Sequence, residues 1–151
     1  MRDQAIYNTH PHIKSILEGN TAFDADGKQV VINEVLVKDE YKKLLREVLK
    51  IKAKKEAQRR IYDLAPQWQQ SNLTARAVEL IEKRLNLIVL TQAELDELAA
   101  GFAVQEKIRA IGLASNLIEA DIDATTDPVS FDVEKSQKWP VLSKTQLRRT
   151  K

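Results

Sequence analysis

At 151 residues, with 30% charged and only 5% aromatic side chains, the chain suffices for one modest core or for an elongated set of solvated helices, and its balance suits the second. It has no cysteine, which excludes disulfides, zinc–thiolate sites and cysteine nucleophiles. The formal net charge of +2 hides a separation: residues 38–60 hold ten basic side chains against four acidic, and residues 91–134 hold ten acidic against two basic.

Two such stretches attract one another, so either they pack together within the molecule or the basic one meets an acidic partner. Met1-Arg2-Asp3-Gln4-Ala5 is followed by no apolar run of the kind a signal peptide needs, and no uncharged apolar stretch is long enough to span a bilayer. The expectation is a soluble protein made in the cytoplasm, with no membrane partner.

Residues 1–20 read as irregular, with an extended kink at His10-Pro11-His12 and a turn at Glu18-Gly19-Asn20. A β-hairpin follows. Thr21-Ala22-Phe23 and Lys28-Gln29-Val30-Val31-Ile32 flank Asp24-Ala25-Asp26-Gly27, where the glycine supplies a positive φ. Two strands alone are marginal in water, so the hairpin needs a covering element. Asp24 and Asp26 do not make a calcium loop, because position 33 is Asn33 where a glutamate is required. His10 and His12 lack a third ligand nearby. No metal site and no cofactor is expected.

From about Val35 the pattern turns helical. Val37, Tyr41, Leu44, Val48 and Ile51 follow steps of four, three, four and three, a heptad seam that fits a coiled coil or a small bundle equally. The register then meets Lys55 and Gln58 before Tyr62 and Ala65 resume it. Pro66 stops this helix near Leu64 and makes an elbow over 65–72. Past it, Trp68 with Leu73, Ala77 and Leu80 offers an apolar face that would lock two helices at the corner. A second helix runs on to a stop at Asn86, and Leu87-Ile88-Val89-Leu90 is either a buried loop or one further turn.

Thr91-Gln92-Ala93-Glu94 is a capping box that opens a third helix. This helix reaches about Ala120 through an apolar series of Leu95, Leu98, Phe102, Ile108, Ile111 and Ile118. Gly101 and Gly112 weaken it by about 1 kcal/mol each relative to alanine, and so mark places where another backbone approaches. Residues 121–151 show no helical period and end on Arg148-Arg149-Thr150-Lys151. Val129, Phe131, Val133 and Trp139 make this tail more apolar than a free linker, as if it lay in a partner's groove.

The expected fold is mainly α: an N-terminal irregular segment and hairpin (1–34), about three helices in an elongated or coiled-coil arrangement (35–120), and an extended C-terminal tail (121–151). No phosphate loop, nucleophile elbow or paired-carboxylate arrangement is present, so no enzyme is expected. The basic run Lys50–Arg60 is the best case for nucleic acid, although it lacks a reading motif and has an acidic competitor in the same chain.

The stretch Arg60–Ala120 resembles small tail-associated proteins of tailed bacteriophages, including those found with tail fibres and their assembly chaperones. The resemblance rests on Arg60-Ile61, Pro66-Gln67-Trp68-Gln69-Gln70, Asn72-Leu73-Thr74-Ala75 and Ile108-Arg109-Ala110-Ile111-Gly112-Leu113-Ala114-Ser115-Asn116-Leu117-Ile118-Glu119-Ala120. Met1–Pro11 and Ala22–Gly27 also look like the opening of small phage virion proteins. The resemblance implies a non-enzymatic virion tail protein, or a transient chaperone, that binds a tail-fibre or baseplate protein. A homo-oligomer, dimer or trimer, is compatible with it. The expected interface residues are Val37, Tyr41, Leu44, Val48, Ile51, Tyr62, Trp68, Phe131 and Trp139, with Tyr62 and Trp68 as anchors.

Overall fold

A computed structural model describes residues 1–17 and 21–141 of the chain. The expected turn at Glu18-Gly19-Asn20 and the basic end Arg148–Lys151 lie outside the described residues. The protein is mainly helical with a small antiparallel sheet near its N-terminus. The elements run α1 (Arg2–Thr9), β1 (Ser15–Leu17), β2 (Thr21–Phe23), β3 (Gln29–Val30), α2 (Glu34–Leu64), α3 (Gln67–Leu85) and α4 (Gln92–Ala124).

Two compact units divide the chain. One comprises Met1–Lys52 with Ala120–Asp132, the other Ala53–Glu119 with the chain from Val133.

In the first unit the opening residues are not irregular: they form α1. Eight residues do not hold a helix in water by propensity, and tertiary contacts supply the rest. Ala5 and Ile6 are fully buried with Ile13, Ala22 and Val37 in one apolar cluster. Arg2 donates to both Glu34 carboxylate oxygens, at 2.8 and 3.1 Å, and the Asn8 amide donates to Glu40 at 2.9 Å. The predicted hairpin is present as β2 and β3, and β1 adds a third strand in the order β1-β2-β3. Ile16 faces Ala22, which in turn faces Val30. The loop depends on Asp24, whose Oδ1 accepts the amides of Asp26 and Lys28 at 2.9 Å each, and on Gly27 at φ 75°. His10, which ends α1, is committed to structure: the Asn33 amide donates to its Nε2 at 3.1 Å and its Nδ1 meets the Thr9 hydroxyl at 2.8 Å.

Asn33 opens α2 by accepting the amides of Val35 and Leu36 at its side-chain oxygen. The face that α2 buries then changes. Val37, Tyr41 and Leu44 lie against the N-terminal cluster. Leu49, about 120° round the helix from Val37 at 3.6 residues per turn, is buried as well, and within the second unit α2 buries Ala53, Glu56, Ala57 and Leu64.

In the second unit the elbow is tighter than 65–72. The Pro66 carbonyl accepts the Gln69 and Gln70 amides, so α3 resumes at Gln67 and only Ala65 and Pro66 interrupt the helices. Asn86 ends α3 in a Schellman arrangement: the Ile88 amide donates to the Lys83 carbonyl at 2.9 Å and the Leu87 amide to that of Arg84 at 3.1 Å. Leu87 takes φ 59°, where glycine is usual. Of the run 87–90, only Leu90 is buried, joining Leu80 and Leu98.

The capping box forms, with the Thr91 amide donating to Glu94 at 2.9 Å and the Glu94 amide to the Thr91 hydroxyl at 3.3 Å. The expected apolar series on α4 splits in two. Leu98, Ile111 and Ile118 are buried, but Leu95 and Phe102 are exposed. Neither glycine marks a backbone approach: a Cβ on Gly101 would meet only the Leu73 side chain at 3.9 Å, and one on Gly112 nothing within 4 Å.

Candidate functional site

The expected interface residues separate into those the chain covers itself and those it leaves open. Val37 is buried, and Tyr41 and Leu44 are partly buried against the same cluster. These three are core, because α1 and the sheet occupy the side of α2 from which they project. Val48 and Ile51 continue that side of the helix but are 47% and 55% exposed. They form an open apolar pair in the first unit.

In the second unit, Tyr62 is 63% and Trp68 67% exposed. The expected face uniting Trp68 with Leu73, Ala77 and Leu80 does not exist. Leu73 lies five positions after Trp68, which at 3.6 per turn places them about 140° apart. Gln69 and Gln70 take the inner positions instead, and the Gln70 amide turns back to the Ala65 carbonyl at 2.7 Å.

Trp139 has an internal role, contrary to the expectation of a partner groove. It is buried, its Nε1–H donates to the Val133 carbonyl at 2.8 Å, and the Arg60 guanidinium lies 4.8 Å above its ring. A cation over an indole face is attracted by the ring quadrupole. Phe131 is half-buried, and Pro128 and Val133 are fully buried. Residues 125–141 are thus a series of turns packed on their own units, not an extended arm.

Charge separation is resolved within the chain. In the first unit Lys50 pairs with Asp123 at 3.2 Å and Arg46 donates to the Thr125 carbonyl at 2.8 Å. In the second, Lys54 pairs with Glu119 at 3.4 Å. Glu56 is buried between two guanidinium groups, taking two bonds from Arg59 at 2.7 and 2.8 Å and one from Arg60 at 2.7 Å. The Arg59 bonds first, then those of Arg60, hold its carboxyl below the usual range against the opposing effect of burial. Across α3 and α4, Arg76 bridges Glu79 and Glu97, and Lys83 meets Glu94 at 2.7 Å. Lys83, then the Thr91 amide and hydroxyl, bring the Glu94 carboxyl down to about 2.

No family model, curated protein or solved structure matches this chain.

A hollow of about 540 Å³ in the first unit is edged by Asp39, Glu40, Lys42, Lys43 and Arg46. Its charges are of both signs and largely neutralise one another: Lys43 pairs with Glu40 at 3.5 Å. Among the described residues no group of three or more His, Cys, Asp or Glu is placed to hold a metal ion, and no helix is long and apolar enough to cross a membrane.

Sequence reasoning missed one surface. Leu113 and Leu117 are 55% and 53% exposed, on the same side of α4 as Leu95 and Phe102. The signal was present as spacings of seven, eleven and four, but it overlaps the inner series closely enough to look like a single broad apolar face.

Proposed function

We propose that this chain is a non-enzymatic bacteriophage tail protein that docks on a tail-fibre or baseplate protein, as a structural subunit or an assembly chaperone. Two things support the reading: the resemblance carried by residues 60–120 and the exposure of Tyr62 and Trp68 beside the Pro66 elbow. The second carries it. Large aromatic rings left open have no part in the core, whereas at interfaces they supply most of the binding energy. Val48 and Ile51 are a second open apolar pair on α2.

Docking is favoured over nucleic-acid binding because the cations Arg46, Lys50, Lys54, Arg59 and Arg60 already face carboxylates or carbonyls of the same chain. That pairing weakens the field a phosphate backbone would need.

The test is co-purification with the tail-fibre and baseplate proteins of the same phage. Tyr62→Ala and Trp68→Ala should each weaken the complex about tenfold or more. Binding untouched by both substitutions refutes the aromatic anchors, and binding to duplex DNA that falls steeply with salt would favour the nucleic-acid reading. Mass spectrometry of purified particles separates subunit from chaperone, since only a subunit remains in the virion.

A further inference from the structure

α4 carries an apolar strip that the fold leaves uncovered. Leu98 on one flank of it and Ile111, Ala114 and Ile118 on the other are buried. Leu95, Phe102, Leu113 and Leu117 are 41%, 53%, 55% and 53% exposed, and within the second unit they line the strip between those flanks. At 3.6 residues per turn these four fall within about 60° of one another round the helix, and Leu95 to Leu117 spans about 33 Å. Ala99 and Asn116, also exposed, lie along the same strip and leave room beside the larger side chains.

At the middle of the strip stand Glu106 and Arg109. Both are open, at 74% and 73% exposure, and only loosely paired with each other at 4.0 Å. Their order makes the strip complementary to itself. The geometry points to the outer side of α4 as a homotypic interface, in which α4 of a second copy lies antiparallel across a twofold axis passing between Lys107 and Ile108.

That axis brings Glu106 of each copy level with Arg109 of the other, so two intermolecular ion pairs form at the centre. It brings Phe102 level with Leu113 twice. Leu117 falls level with position 98, in the gap between Leu95 and Phe102 of the other copy and next to the small Ala99. Apolar side chains therefore meet apolar ones on either side of the central charges. A parallel, in-register pair would instead set glutamate against glutamate and arginine against arginine at its centre, so the charge order selects the antiparallel pair. This inference does not depend on the phage reading, because it uses only the chain's own surface.

Sedimentation of the purified full chain tests it. Wild type should show a reversible monomer–dimer equilibrium in the micromolar range. Glu106→Arg, which sets arginine against arginine twice, should raise the dimer dissociation constant about tenfold or more, and adding Arg109→Glu should restore it to within about threefold of wild type. Circular dichroism confirms that each variant keeps its helix content. The absence of native cysteine permits a second readout: a mixture of Phe102→Cys and Leu113→Cys chains should oxidise mainly to the mixed disulfide dimer. A wild type that stays monomeric at the highest soluble concentration overturns the inference. So does a dimer indifferent to Glu106→Arg, or one that crosslinks mainly as like-with-like pairs.

Discussion

The two tryptophans provide a direct contrast, because the chain has only these two and the structure assigns them opposite roles. Trp139 is 6% exposed, with its indole N–H bonded to Val133 and its face under Arg60. Trp139→Ala removes a buried indole, leaves the Val133 carbonyl without its donor and strips Arg60 of its aromatic platform. Core tryptophan-to-alanine changes cost about 3–5 kcal/mol, a range that already includes the cavity, so a loss of about 4 kcal/mol is expected. Against a typical total of about 5–15 kcal/mol this is a large fraction. Trp68 keeps 67% of its surface in water, and Trp68→Ala should cost under about 1 kcal/mol. Urea unfolding followed by circular dichroism measures both, with unchanged slopes as the sign that only stability has moved. Equal losses for the two variants, or a Trp139→Ala loss under about 1 kcal/mol, would refute the assignment of one to the fold and the other to a surface.

Other perturbations have definite signs. Leu87 adopts a left-handed backbone while 92% exposed, so Leu87→Gly relieves strain without losing packing and should stabilise by about 1 kcal/mol in the same unfolding assay. Gly112→Ala, in a helix interior with nothing within 4 Å of the added methyl, should also stabilise by about 1 kcal/mol. Thr91→Ala removes the cap of α4 and should cost about 1 kcal/mol. The Glu94 carboxyl, ordinarily at 4.5, is held down at about 2 in the fold. Its contribution is therefore complete above the ordinary value and lost as pH falls from there towards 2. The urea midpoint should drop over that interval, and Lys83→Met, which removes the first cause of the shift, should flatten the drop.

The features legible in the sequence were those decided by neighbours along the chain. The Asp24–Gly27 loop, the break at Pro66, the stop at Asn86 and the Thr91–Glu94 box each follow from groups no more than five residues apart. Local geometry suffices for them, so composition and spacing reveal them directly. The long helices follow for the same reason, since their period is written in their own residues.

What needed the tertiary structure was the choice among apolar sides. α1 is too short to declare itself and exists because Ala5 and Ile6 find Ala22 and Val37. Along α2, the single heptad seam of Val37, Tyr41, Leu44, Val48 and Ile51 is core at the first three and open at the last two, because cover comes from residues distant in sequence. Trp139, expected in a partner's groove, is core for the same reason, while Trp68, expected to lock the corner and to anchor a partner, stays open. An apolar side chain carries the tendency to leave water wherever it stands, but whether it does depends on what the rest of the chain brings to it, and spacing along a helix cannot encode that.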